Sequence, residues 1–219
     1  MVPRGARTIA LGPSEQMPAD YRHFTLRLSA GGFVAQRTLG VEICHARRQG
    51  PAPARLGDRI AEALDEVALH GEPDIVTALA RLATGRGGPE TDAIIAARLA
   101  GIEDCHDCAD FELVPLLWAR MRFADAIAPG LHARIDRAML GYRYWMDEPG
   151  NDVQWYFSEN HALLFHTAAY LAGYLLPDAR FVRSGRPGSV QSTTGARRVR
   201  AWLDHFEHWE MAEFNSAPY

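Results

Sequence analysis

Three short strings carry most of the side chains able to do chemistry. They are Asp104-Cys105-His106-Asp107-Cys108-Ala109-Asp110-Phe111, then Tyr144-Trp145-Met146-Asp147-Glu148-Pro149-Gly150-Asn151-Asp152, then Trp155-Tyr156-Phe157-Ser158-Glu159-Asn160-His161. Carboxylates can donate and withdraw protons, and an imidazole can do either near neutral pH. In the third string, Ser158 fits a helix cap and Glu159 fits the positive end of the helix dipole. Asn160 and His161 have no such excuse. Both are indifferent helix formers, placed where the strongly apolar run Ala162-Leu163-Leu164-Phe165 begins. Polar groups at the mouth of a buried helix are costly unless paired or open to a cleft.

The first string has plainer alternatives. One acid before a helix is a dipole effect, but Asp104, Asp107 and Asp110 together exceed that need. Cys105-x-x-Cys108 with His106 offers zinc-ligand types, yet a structural site needs four ligands. No second pair of this kind exists, so Cys44, His45 and His161 would have to close the site from afar. Two small thiols beside a helix start are the simpler expectation, and a redox role lacks its βαβ setting. His166 reads as a core histidine. His205 and His208, with Asp204 and Glu207, read as ion pairing on a helix surface rather than a metal site. No metal and no cofactor is expected.

The elements that must position these residues are mainly helical. Residues 1–54 read as a proline-punctuated leader plus a small β segment. There Phe24, Leu26 and Leu28 alternate with polar residues, Gly31-Gly32 makes a turn, and Phe33 to Thr38 and Val41 to Cys44 return. Residues 55–219 read as helical hairpins. Helical stripes run from Leu56 to a stop at Gly71, from Pro73 through Leu82, and from Pro89 to Gly101. A fourth helix surrounds Trp118, and its Pro115 means either a start near Val114 or a kink. A fifth runs from Leu131 to Tyr142, and a sixth from a Ser158 cap through Leu176 to Pro177. A seventh begins near Thr193 or Thr194. About seven helices with short connections predict stacked αα-hairpins.

Composition excludes several classes. The 219 residues are 47% hydrophobic and 23% charged, which argues against disorder. No apolar run approaches the ~20 residues of a membrane span. A formal charge of −4 lacks the basic field of a general nucleic-acid binder. Residues 1–20 contain no apolar export block, and three cysteines make no disulfide framework, so a reducing, cytoplasmic setting is expected.

In a run of antiparallel hairpins, alternate helices point the same way. The helix after Asp110 and the helix after Ser158 should therefore start at one end of the domain. That gathers Asp107, Asp110, Glu159, Asn160 and His161 on one rim. Trp145, Trp155 and Tyr156 on the intervening loop would supply flat surfaces. Acids beside rings suit carbohydrate.

Several ordered motifs resemble one group of proteins. They are Asp107-Cys108-Ala109-Asp110-Phe111, the Tyr144 to Gly150 loop, Phe157-Ser158-Glu159-Asn160-His161-Ala162-Leu163-Leu164-Phe165, Tyr170-Leu171-Ala172-Gly173 with Pro177-Asp178, and Ser184-Gly185 before Trp202-Leu203. Over roughly residues 100–219 the chain resembles (α/α)6-toroid proteins, similar to six-hairpin glycosidases and toroid polysaccharide lyases. The resemblance implies a mainly α partial toroid acting on an oligo- or polysaccharide. In a hydrolase, Glu159 and Asp107 would be the catalytic carboxyls beside His161, with Asp110, Asn160, Tyr156, Trp155 and Trp145 holding sugar. In a lyase, Asn160, His161 and Tyr156 or Tyr144 would act instead. A non-catalytic helical scaffold is the third expectation. Twelve helices make such a ring, so about seven imply further hairpins outside this chain or completion by a second copy. The segment Glu213-Phe214-Asn215-Ser216-Ala217-Pro218-Tyr219 departs from the Glu-Trp-Leu-Ser-Asn-x-Tyr-Tyr pattern of similar proteins.

Overall fold

The computed structural model describes residues 12–13, 16–18, 20–43, 51 and 53–213. Most of the leader, the strand end expected at Cys44, the candidate ligands Cys44 and His45, and the chain after Glu213 lie outside these. The chain forms two compact units, residues 1–53 and 54–219.

The first unit is a two-stranded antiparallel hairpin of β1 (Asp20–Ala30) and β2 (Phe33–Ile43), with Thr25 opposite Thr38. Gly31 and Gly32 hold φ of 55° and 84°, the left-handed pair a two-residue hairpin turn requires. β2 is one continuous strand rather than the two short returns expected, because the ladder runs unbroken from Phe33 to Ile43. Most of its side chains are exposed.

The second unit holds α1 (Leu56–His70), α2 (Ile75–Ala83), α3 (Pro89–Glu103), α4 (Ala109–Arg122), α5 (Pro129–Gly141), α6 (Glu159–Leu175) and α7 (Gly188–His208). The contacts alternate: α2 packs on α4, α4 on α6, and α3 on α5. Ile95, Leu99, Leu113, Leu117, Ile135, Met139 and Phe165 form the fully buried centre. No helix among the described residues is long and apolar enough to cross a membrane.

Several helix boundaries differ from the sequence expectation or decide between its alternatives; α3 runs through Gly101 to Glu103. Asp74 caps α2 by accepting from the Thr77 amide, so Pro73 stays outside the helix. α4 starts at Ala109 and carries Pro115 inside. Its lost bond to the Phe111 carbonyl is outweighed by burial of Leu113, Leu116 and Leu117 around it. α7 starts at Gly188, five residues before Thr193, despite poor helix formers. Its first turn is tied down because the Gly188 and Ser189 amides donate to the Ala179 and Pro177 carbonyls.

Candidate functional site

The turn between α3 and α4 is tight. Cys105 and Cys108 both adopt left-handed φ, 51° and 64°, a conformation non-glycine residues rarely hold. This double reversal sends Asp107 outward and Asp110 inward. Cys105 is buried and Cys108 exposed, both as free thiols. Burial, then Asp107 and Asp110, push the Cys108 thiol up, so it is not an activated nucleophile. Among the described residues, no three His, Cys, Asp or Glu side chains stand together as metal ligands.

Asp110 has no exposed surface, and its Oδ2 stands 2.8 Å from Nδ1 of His161 at the start of α6. Oδ1 has no partner. Burial holds this carboxyl above the usual range, with His161 partly opposing the shift. The Phe111 ring meets the imidazole edge-on at 4.9 Å, and Phe165 lies on its inner side. The N-termini of α4 and α6 therefore sit side by side, joined by a buried acid–imidazole couple.

The loop before α6 is knotted by polar groups. The Arg143 guanidinium donates to the carbonyls of Met146, Glu148 and Asn151 and to Asp152. Glu148, buried, accepts from the Tyr144 amide and the Gln191 side chain, and burial raises its carboxyl. Asp107 Oδ1 accepts from the Trp155 amide at 2.9 Å, which fixes the loop's far end on the α3–α4 turn.

This knot sorts the aromatics. Trp155 and Phe157 are exposed and touch edge-on. Tyr156 and Trp145 are not the open surfaces expected. Tyr156 is buried against Phe165 and donates to Gln154, and its phenol is pushed up mainly by burial. Trp145 is half-buried between Tyr156, Phe165 and His166, with Arg198 over its face. The loop alternates its side chains, so neighbours in sequence face opposite ways. Tyr144, the other candidate phenol, is fully buried on the Met139 carbonyl and is likewise raised.

At the start of α6, Ser158 does not cap the helix with its hydroxyl. That hydroxyl donates to Asn160 Oδ1, which also accepts from the His161 amide. The cap comes instead from a distant segment. Glu213 accepts from the Asn160 amide, while the two Glu159 oxygens accept from the amides of Ala212 and Glu213, all at 2.8–2.9 Å. The Trp202 indole donates to the Glu159 carbonyl. Glu159, Ser158 and Phe157 then line a cavity of about 260 Å³ with Trp202, His205 and Phe206. Asp107 lies in a separate polar cavity of about 280 Å³, with Arg98, His106 and Glu112.

The sequence reading missed Trp202, Phe206, Arg98 and Glu112. A signal existed for the first two. α6 and α7 form an antiparallel hairpin of similar arm lengths, so residues late in α7 must face the start of α6.

His166 is buried against the Trp145 ring, and its Nδ1 has no partner. Burial, then Arg198, lowers its pKa from 6.5 to about 4. It therefore resists protonation in the folded chain but not in the unfolded one. This contribution to stability is present above the unfolded value of 6.5 and is lost as pH falls toward about 4. The full loss is on the order of 3 kcal/mol. Denaturant unfolding at pH 7 and pH 4.5 should show this acid loss, and His166→Gln should shrink it. Equal losses in both proteins would refute the assignment.

An open apolar groove, lined by Val114, Trp118, Met121 and Leu171, runs between α4 and α6 away from this rim. The chain matches no protein-family model, no curated protein and no solved structure.

Proposed function

We propose that this chain is a carbohydrate-active protein of the glycoside-hydrolase kind, acting at the rim where α4 and α6 begin. The observation that supports it most is a carboxylate, Glu159, in one cavity with the rings of Phe157, Trp202 and Phe206. Flat apolar rings bind sugar faces, and carboxyls handle glycosidic oxygens. Asp107, exposed and joined to the same rim through the Trp155 amide, is the general acid. Glu159 directs water, which must compete with the Ala212 and Glu213 amides for its oxygens. His161, buried and paired with Asp110, fixes the start of α6 beneath them, and Asn160 holds the sugar. The alternating contacts of α2, α4 and α6 support reading the helices as part of an (α/α)6 ring.

A second reading, β-elimination, draws on the Asp110–His161 couple, since an oriented imidazole can abstract a proton. The phenol it requires is missing: Tyr156 and Tyr144 are both buried and committed.

Digestion of a glycan panel, with product mass and near-ultraviolet absorbance read together, tests both. Hydrolysis predicts products one water heavier and no new chromophore. Asp107→Asn and Glu159→Gln should each lower cleavage by about 100-fold or more. A new chromophore would favour elimination. Undiminished cleavage in both variants would reject the residue assignment. No product from any glycan would favour a non-catalytic scaffold.

A further inference from the structure

Phe206 lines the cavity holding Glu159 and also a second one of about 420 Å³ at the end of α7, with Glu207, His208, Trp209, Glu210 and Met211. Rings line both, in two groups that touch within themselves. Trp155 meets Phe157 at 5.4 Å, and Trp202 meets Phe206 at 4.4 Å. Phe206 meets His205 at 4.8 Å, and His205 stacks on Trp209 at 6.3 Å with an interplanar angle of 17°. Trp202, His205 and Phe206 lie on one face of α7, and Trp209 follows just past its end. From Trp202 to Phe206 the helix rises about 6 Å at ~1.5 Å per residue. Phe157 shares the cavity with Trp202 and Glu159, with Trp155 beside it. Phe157 and Trp209 remain 71% and 68% exposed despite these contacts, which leaves apolar ring surface in water.

The lining tells which ligand suits these rings. The α4–α6 groove has a single ring, Trp118, among aliphatic and thioether groups and the cation Arg122, as a protein contact would. Here flat rings alternate with hydrogen-bonding groups: Glu159, His205, Glu207, His208 and Glu210. No Lys or Arg occurs between residues 201 and 213, whereas Asp204, Glu207, Glu210 and Glu213 do. That field repels a phosphate chain, although rings alone would stack on bases. It equally repels uronate polymers.

We propose that these rings form an extended binding face for a neutral oligosaccharide several units long, so that the site selects polymers over single sugars. The proposal rests on the carbohydrate reading given above and adds the ligand's length and charge. The face would run the chain past Glu159, with sugar rings stacked on either side of it.

Calorimetric titration with neutral oligosaccharides from monosaccharide to hexasaccharide, across several linkages, tests it. Affinity should climb with length for at least one linkage. Trp209→Ala should flatten that climb and lower hexasaccharide affinity by about tenfold, the loss expected from removing one stacked ring. Trp209 is exposed beyond the end of α7, so an unchanged melting temperature should show that the variant folds. Trp118→Ala, in the separate groove, should leave the series intact. If a neutral glycan binds with no dependence on length, or Trp209→Ala leaves the hexasaccharide affinity untouched, the extended face is refuted and the carbohydrate reading survives. Tighter binding of an oligouronate than of its neutral counterpart would overturn the charge assignment. If no glycan binds, or a thymidine oligonucleotide binds instead, the carbohydrate reading falls and this proposal with it.

Discussion

Asp110→Ala is expected to cost about 3–5 kcal/mol of folding stability, the loss typical of breaking a buried pair and leaving one partner behind. Asp110 has no exposed surface, and among the described residues its side chain is paired with the His161 imidazole at 2.8 Å. Alanine would leave a cavity beneath α4 and a buried imidazole with no acceptor on Nδ1. Asp110→Asn keeps the shape and should cost less, about 1–3 kcal/mol, since the amide can still accept a hydrogen bond. The two variants separate the volume of the side chain from its charge.

The pH dependence carries a definite sign. Burial holds the Asp110 carboxyl above its ordinary range. A raised acid contributes stability that is fully present below its unfolded pKa and is lost as pH rises through the folded value. The advantage of the native protein over Asp110→Asn should therefore be largest in acid and shrink toward neutrality. Denaturant titrations at pH 4 and pH 7 would show this. An advantage that grows with pH would mean that the carboxylate is stabilised as an anion, and the burial argument would be wrong. On the proposed function, Asp110→Ala should also lower glycan cleavage, because the imidazole loses its orientation.

Gly195→Val is expected to cost about 3 kcal/mol or more by forcing α6 and α7 apart. A Cβ at Gly195 would fall inside the Tyr170 amide nitrogen and 2.8 Å from the His166 carbonyl oxygen. These are backbone atoms of α6 and cannot swing aside. Gly173 and Gly188 repeat the situation along the same hairpin, with Ser192, Gly188 and Leu176 backbone atoms as the obstacles. The three glycines let the two helix backbones pack almost in contact. That closeness places Trp202 where its indole reaches the Glu159 carbonyl. Gly195→Val should thus lower the melting temperature and weaken any ligand bound beside Glu159. Gly130→Ala is the control: nothing lies within 4 Å of its Cβ, and it sits in the first turn of α5. It should be neutral, or stabilising by up to about 1 kcal/mol through helix propensity. Similar stabilities for Gly195→Val and Gly130→Ala would dismiss the close-approach argument.

Some of this architecture was legible from residue order alone. The stripe of Leu56, Ile60, Leu64 and Val67, ended by Gly71, marks α1 because helical period and its breaker are local properties. Pro89 opening α3 and Gly31-Gly32 turning the hairpin are local in the same sense. At Pro115 residue order left two alternatives open, and the start of α7 was not legible. In both places tertiary contacts overrule propensity: buried leucines hold α4 together, and carbonyls of the α6–α7 connection hold the first turn of α7.

The same division runs through the site. Residue order determined which groups were on hand: Asp107, Asp110, Glu159, Asn160 and His161 at two helix starts, with aromatics between them. It also determined that the two helices run parallel, since one antiparallel partner lies between them. Only the tertiary structure decided that Asp110 is sealed against His161 while Asp107 stays at the surface. It alone turned Trp145 and Tyr156 inward and left Trp155 and Phe157 outside. It alone brought Ala212 and Glu213 onto Glu159 from more than fifty residues away. The reason is physical. Periodicity records which side of an element is apolar, but a loop has no period. Which distant group completes a hydrogen bond depends on how the whole chain packs.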